Sequence, residues 1–450
     1  MGFNDWQIIE ASSRIGGRVH TAYLDGTAPD EYQYQEMGPM RFPVSLTIGN
    51  ETIDIQDHKM VFQLVEVLNT LNGNNSEYVV NFIECVRRID LCGSLLTIVR
   101  WIQTNVNVPA DTSKRLPNGL VPSVAEVNAD PSLADNITAT YSNVTAVTDA
   151  AEAYTNWLNL TDDRRIASAT NVFAAHKKAV EAGYLDFSEA GYIKYVLDAG
   201  DDITDQIDTL SDNYDSWYYE TVYFEASYWR TIDQGLDRLP LAFMPLVENR
   251  TLFQTAVQEL SYNNTTDKVS VGYRPDPFQI KPETIEFDYV LVSVPFAKVR
   301  IWTLPDYSSL LSRAINTLQY KTACKVALKY ETRFWEHLEV PILGGCASVN
   351  IPSVVTICYP SYNLNGTGPG VLLASYNTGF ISDSVSALTD IEHVALVQRA
   401  IVEVHGQVAQ DQFTGSYARK CWSNDEYQAG DWYDTRIYYY LLLSRMVVCE

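Results

Sequence analysis

The sequence predicts a mixed α/β fold (α+β in part), in which an incomplete open-sheet layer joins a second unit holding a mixed sheet and a helical part. Three observations predict it. A short apolar run, residues 6–9, ends in Glu10 and is followed by the paired glycines Gly16 and Gly17. A second run, F-D-Y-V-L-V-S-V-P at 287–295, is β-rich and nearly all apolar, as in a strand buried on both faces of a parallel or mixed sheet. Between them, residues 146–230 carry few breakers, and A-A-E-A-Y-T-N-W-L and V-F-A-A-H-K-K-A-V-E-A are good helix formers.

Size and charge bound the rest. At 450 residues and 46% hydrophobic, the chain can build two or three domains around a substantial core. A net charge of −24 speaks against nucleic acid, because phosphate binding needs clustered Lys and Arg. The same charge disfavours anionic lipid. No run of 18 apolar residues predicts a membrane span. The seven Cys include no C-x-x-C pair and no His/Cys cluster at metal spacing, so no metal site is expected. An odd count leaves at least one thiol unpaired within the chain. Nine N-x-S/T acceptors start at Asn50, Asn74, Asn136, Asn143, Asn159, Asn249, Asn263, Asn264 and Asn365. They suggest a secretory, extracellular route, although the start at Met1 has neither the basic nor the apolar stretch of a signal peptide.

Taken in order, the first element is the strand before Glu10. An acid at the end of such a strand accepts hydrogen bonds from ribose hydroxyls in dinucleotide folds. Gly16 and Gly17 permit a tight turn where backbone meets a ligand, and Arg14 and Arg18 supply positive charge for a pyrophosphate. Together, E-A-S-S-R-I-G-G-R-V-H-T at 10–21 closely resembles the motif after the first βα unit of the flavin-containing amine oxidases. The resemblance implies FAD as cofactor, with Glu10, Ala11, Arg14, Gly17 and Arg18 among the residues that hold it. The phosphate-binding G-x-G-x-x-G turn belongs roughly 20 residues before the acid. Only nine residues precede Glu10, so the FAD layer is expected to lack that unit.

E-M-G-P-M-R-F-P at 36–43 resembles the G-P-M-R or G-A-M-R segment of the L-amino-acid oxidases within that family, fungal-like in type. There the Arg clamps the substrate carboxylate, a role that transfers to Arg41. A guanidinium suits it, being planar, bidentate and permanently charged. Gly38, Met40 and Arg41 join the cofactor-side set by the same likeness. Residues 59–71 read as an amphipathic helix that N-G-N-N-S breaks. Residues 84–100, with two Cys, interrupt an otherwise smooth pattern and read either as a retained intervening sequence or as an ordinary insertion. In Y-W-R-T-I-D-Q-G-L-D-R-L-P at 228–240, Gly235 allows a turn, Asp237 could cap a helix, and Pro240 suits its first turn. Thr255–Leu260 resembles the strand that meets the adenine edge, which assigns Val257 to the cofactor.

C-K-V-A-L-K-Y-E-T-R-F-W-E at 324–336 alternates as a strand does. It resembles the family segment whose first Lys points into the site and holds a water near the flavin, so the catalytic Lys is Lys325. Burial would lower its pKa. The segment ending Y-P-S at 359–361 places Tyr359 opposite Arg41 as second carboxylate partner, and K-C-W-S-N-D-E-Y-Q-A-G-D-W at 420–432 makes Trp422 a wall of the site. Beyond Trp432 the likeness stops, and the apolar tail to Glu450 reads as a misplaced frame.

The resemblance therefore implies an incomplete FAD-binding Rossmann-like domain (1–50, 231–300 and a truncated return at 421–450) and a substrate domain (51–230, partly helical, and 301–420). The reaction it implies is oxidative deamination of L-amino acids by O2, giving a 2-oxo acid, ammonia and hydrogen peroxide. No nucleophilic constellation is required, because the cofactor carries the chemistry. Three readings stand beside it: an amine or polyamine oxidase of the same family, a truncated remnant that binds no FAD, and a nicotinamide-dependent dehydrogenase. Association into a homo-oligomer is left open.

Overall fold

The computed structural model describes residues 4–85, 144–204, 214 and 219–434, apart from 277, 339, 340, 350, 352 and 432. Its largest layer is a five-stranded antiparallel sheet. The strand order is Gly345–Ser348, Thr356–Tyr359, Gly370–Thr378, Ala323–Tyr330 and Phe413–Cys421. All eight residues of Ala323–Tyr330 are buried, because a central strand is covered on both faces. Strand side chains alternate between faces. On one face Val326, Leu328 and Tyr330 pack with Trp335, Val397 and Ile401, the last two from the helix Asp390–His405. On the other, Ala327 packs with Leu24, Met37 and Val371. The helix begins at a capping box in which Thr389 and Glu392 satisfy each other's backbone amides. It stops where Gly406 takes φ +76°.

Two disulfides cross this sheet, each between directly opposed residues: Cys324 with Cys421 and Cys346 with Cys358. Cys85 is a free thiol. Cys92 and Cys449 lie outside the described residues.

A second, four-stranded antiparallel sheet has the order Glu51–Asp54, Phe42–Ile48, Tyr228–Ile232, Phe82–Glu84. Arg41 stands at the entrance to its second strand. The helix Lys59–Leu71 buries Val65 and Leu68 against Val80, Ile232, Leu236 and Ala242. Leucine and valine so buried contribute about 1.5–3 kcal/mol each. The helices Val144–Leu158, Asp162–Thr170, Val172–Glu181 and Glu189–Tyr195 form the helical part. Trp157 stacks on Tyr192 there at 4.5 Å between ring centroids.

The remaining layer begins with Ile8–Ile9, paired in parallel with Thr251–Leu252. Beyond it lies an antiparallel sheet of Val257–Asn263, Lys268–Tyr273 and Glu283–Phe287. One expectation is corrected here. The strand ends at Phe287, and residues 288–295 run as irregular backbone with Tyr289 85% and Leu291 94% exposed. A strand buried on both faces needs covering elements and hydrogen-bonded neighbours, and among the described residues no strand pairs with this run. Most of the 84–100 segment and the tail from 435 lie outside the described residues; Tyr433–Asp434 pairs with Gln319–Tyr320. No described helix is long and apolar enough to cross a membrane.

Candidate active site

The site is built from five segments that the fold brings together: 10–21, 36–41, 235–237, the strand Ala323–Tyr330 carrying Lys325, and the turn Trp422–Asn424 that follows the strand Phe413–Cys421. In the first, Glu10 extends its strand by donating its amide to the Leu252 carbonyl. Its Oε1 accepts from the Ser12 amide at 2.8 Å and the Ser12 hydroxyl at 2.7 Å. Gly16 and Gly17 adopt φ of +107° and +54°, conformations that a side chain disfavours. The chain thus reverses immediately after the acid. Arg14 lies inside this reversal. Its guanidinium donates to the carbonyls of Ile15, Gly17 and Val19 at 3.2, 2.5 and 3.0 Å. The sequence expectation that Arg14 offers its donors to a pyrophosphate is corrected to that extent: its charge faces the cleft, but its hydrogen bonds hold the turn. Arg18 donates to Gln428 at 2.8 Å.

The second segment meets the first through close backbone contacts. A Cβ on Gly38 would stand 1.8 Å from the Arg18 carbonyl oxygen, so no other residue fits at 38. The Met37 amide donates to the His20 carbonyl at 2.8 Å. The outward carbonyls of this segment are each met by a donor. Lys325 Nζ donates to Gly38 O at 2.5 Å and Glu36 O at 3.2 Å, and Trp422 Nε1 donates to Met37 O at 2.9 Å. Lys325 is 4% exposed and its ammonium lies 4.8 Å from the Tyr376 ring centroid, a cation–π distance.

Glu36, which the sequence reading passed over inside its own motif, is equally buried. Its Oε1 accepts from the Leu236 amide at 2.8 Å and the Thr21 hydroxyl donates to Oε2 at 2.9 Å. Thr21 also accepts from the Asp237 amide. Glu36 thereby ties the first two segments to the turn at Gly235, where φ is +109° and a Cβ would stand 2.7 Å from both Thr21 and Tyr23. Asp237 precedes the short helix Arg238–Leu241 but makes no capping bond, contrary to the sequence expectation. Its Oδ1 has no hydrogen-bond partner, and neither has Nδ1 of nearby His20.

Burial dominates the electrostatics. It lowers the Lys325 ammonium to about 8, with Glu36 and Asp431 opposing. It raises the Glu36 carboxyl to about 8, against the hydrogen bonds from Leu236 and Thr21. Burial also raises Asp237 to about 6 and Asp431 to about 6. It lowers His20 to about 4, helped by Arg14 and Lys420. At neutral pH Lys325 is a cation held by carbonyls rather than by a carboxylate. Such clusters of shifted groups mark functional sites.

The remaining sequence-predicted residues divide. Arg41 stacks its guanidinium 4.1 Å over the Trp229 ring at the surface. Met40 offers its carbonyl to the Thr231 hydroxyl. Val257 opens its strand two residues past Thr255, whose amide donates to the Glu10 carbonyl. Ala11 is half-buried beside Glu10. Tyr359 is a correction. Its hydroxyl meets His405 Nε2 at 2.8 Å, and it packs with Val326, Leu328 and Trp335. It therefore lies on the sheet face opposite Lys325, because side chains alternate and its strand presents position 359 to the helix. The tyrosine on the Glu36 side is Tyr362, stacked 4.8 Å from Tyr34 and donating to the Tyr34 carbonyl. No residue spacing in the Y-P-S segment distinguished the two.

Ser12, Arg14, Gly17, His20, Lys420 and Tyr427 line a cleft of about 530 Å³. A flavin dinucleotide fits this donor set. Glu10 Oε2 would accept from ribose hydroxyls, the Gly16–Gly17 reversal would let backbone approach, Arg14 and Lys420 would supply positive charge, and the orphaned atoms of His20 and Asp237 would offer further partners. Among the described residues no group of His, Cys, Asp and Glu could hold a metal ion.

Known proteins resemble this chain in sequence and in fold. An L-amino-acid oxidase of Neurospora crassa is 39% identical over 447 residues, 96% of this chain and 61% of that protein. The chain thus spans about three-fifths of that relative's length. Among solved structures, a putrescine oxidase variant aligns with TM-score 0.54 at 12% identity, covering 96% of this chain and 82% of that one. Cyclohexylamine oxidase from Brevibacterium oxydans aligns with TM-score 0.54 at 11% identity, over 96% and 84%. At such identities the likeness is one of fold. The profile described as "Flavin containing amine oxidoreductase" matches residues 2–72 and 199–440, well over half of the sequence. The chain belongs to the flavin containing amine oxidoreductase family, whose cofactor is FAD.

Proposed function

We propose that the protein is an FAD-dependent L-amino-acid oxidase, converting an L-amino acid, O2 and water to a 2-oxo acid, ammonia and hydrogen peroxide. The observation that carries this reading is the placement of Lys325. A buried lysine donates to the carbonyls of Glu36 and Gly38, three residues before Arg41 in the same segment. FAD, when bound, supplies the electron acceptor for oxidation of the Cα–N bond. The chain's own residues do the rest. Arg41, braced on Trp229, binds the substrate carboxylate. Lys325 holds a proton at Nζ and orients a water for hydrolysis of the imine. Trp422 closes the cavity to bulk water. A simple amine has no carboxylate for Arg41, which favours amino acids over polyamines. The glycosylation acceptors Asn74, Asn159 and Asn365 lie exposed in turns, and with two disulfides they support a secreted glycoprotein.

The test is the visible spectrum of the purified chain without oxygen, before and after L-amino acids. Flavin bands that bleach with L-amino acids, and a KM for them raised at least tenfold in Arg41→Ala, are the expected result. A colourless protein, or bands bleached only by amines lacking a carboxylate, refutes the proposal.

A further inference from the structure

The Cys324–Cys421 disulfide joins two residues whose next neighbours in sequence are Lys325 and Trp422. Those neighbours are the donors to three consecutive carbonyls: Lys325 to Glu36 O and Gly38 O, Trp422 to Met37 O. Elsewhere segment 36–38 is held by the Glu36 carboxyl on Leu236 and Thr21, by the Met37 amide on His20 O where its ladder with Thr21–Tyr23 ends, and by the close approach of Gly38 to Arg18 O. The sheet register places Cys324 opposite Cys421 and Lys325 opposite Lys420. A slip between these two strands would move both donors off their carbonyls at once.

We propose that the Cys324–Cys421 disulfide is a positioning element, locking the two strands in the register that presents Lys325 and Trp422 to the Glu36–Gly38 carbonyls. The link closes a separation of 97 residues, so no local constraint replaces it. Its sulfurs are buried, at 0% and 5% exposure for the two residues, which shields it from mild reductants in the folded chain. The Cys346–Cys358 disulfide, between the two strands at the far edge of the same sheet, serves as an internal control. The inference rests on reading Lys325 and Trp422 as site residues only for its catalytic consequence; the structural claim stands apart from it.

The experiment is hydrogen exchange, read by mass spectrometry on the peptide covering residues 34–42, in the wild-type chain, Cys324→Ala/Cys421→Ala and Cys346→Ala/Cys358→Ala. Removing Cys324–Cys421 is expected to speed exchange in that peptide at least tenfold, and removing Cys346–Cys358 to leave it unchanged. Equal exchange in all three chains, or equal acceleration by both variants, overturns the proposal. Should the first double variant fail to fold, Cys324→Val/Cys421→Ala refills the space of the sulfurs and carries the same comparison. Faster exchange in a chain without oxidase activity supports the positioning role while removing the functional reading.

Discussion

Replacing Glu36 by Gln tests the buried carboxyl at the junction of the site. Glutamine keeps the shape and the acceptor for the Leu236 amide but cannot titrate. In the folded chain burial raises Glu36 from 4.5 to about 8. A difference of roughly 3.5 units corresponds to about 5 kcal/mol at 1.36 kcal/mol per unit, an upper bound for a group this buried. Because the folded value is raised, the contribution is fully present below pH 4.5 and is lost as pH rises through 8. Wild type should therefore lose up to about 5 kcal/mol relative to Glu36→Gln between pH 4.5 and the upper end of that window. Asp237 and Asp431 titrate in the same range, but both chains carry them, so they largely cancel in the difference. Lys325 acts in the opposite sense. Its folded value is lowered, so stability increases as pH climbs from about 8 towards 10.5, which confines the useful range to pH 5–8.5. The assay is denaturant unfolding of both chains across that range. A stability difference that stays constant within about 1 kcal/mol would refute the assignment of a protonated, buried Glu36.

Two further substitutions probe the packing and the corrected assignment. Gly38→Ala drives a methyl group into the Arg18 carbonyl, a backbone atom that cannot swing aside, and should cost about 3 kcal/mol; an unchanged melting temperature would show that the two segments do not meet as described. Tyr359→Phe removes the bond to His405, a histidine that burial holds down at about 4, and should cost about 1 kcal/mol while leaving the KM for amino acids unaltered. A several-fold rise in KM would return Tyr359 to the substrate site.

Much of the site was legible in the chain because it consists of short contiguous motifs. The reversal at Gly16–Gly17 and the strand bearing Lys325 depend on local backbone demands and on period-two alternation, which a single sequence displays, whereas the need for glycine at 38 comes from the Arg18 carbonyl, twenty residues away. Helix 59–71 was legible for the same reason, its apolar spacing being local. Glu36 was not, because its burial depends on Leu236 and Thr21, distant in sequence. Cysteine spacing likewise held no pairing information; the partners of Cys324 and Cys346 follow from strand register.

What the sequence by itself determined is a set of local features, namely an acid after a short strand, a glycine reversal and a lysine on an alternating strand, all set by local conformational preference, and it was their likeness to the flavin-containing amine oxidases that implied the chemistry. Only the tertiary structure decided which side chains share a space. It turned Tyr359 to the helix side of its sheet, left residues 288–295 without a paired strand, and brought Lys325 and Trp422 onto the short segment that begins at Glu36. Alternation states that neighbouring side chains face opposite ways, but packing against the rest of the chain chooses which face becomes the site.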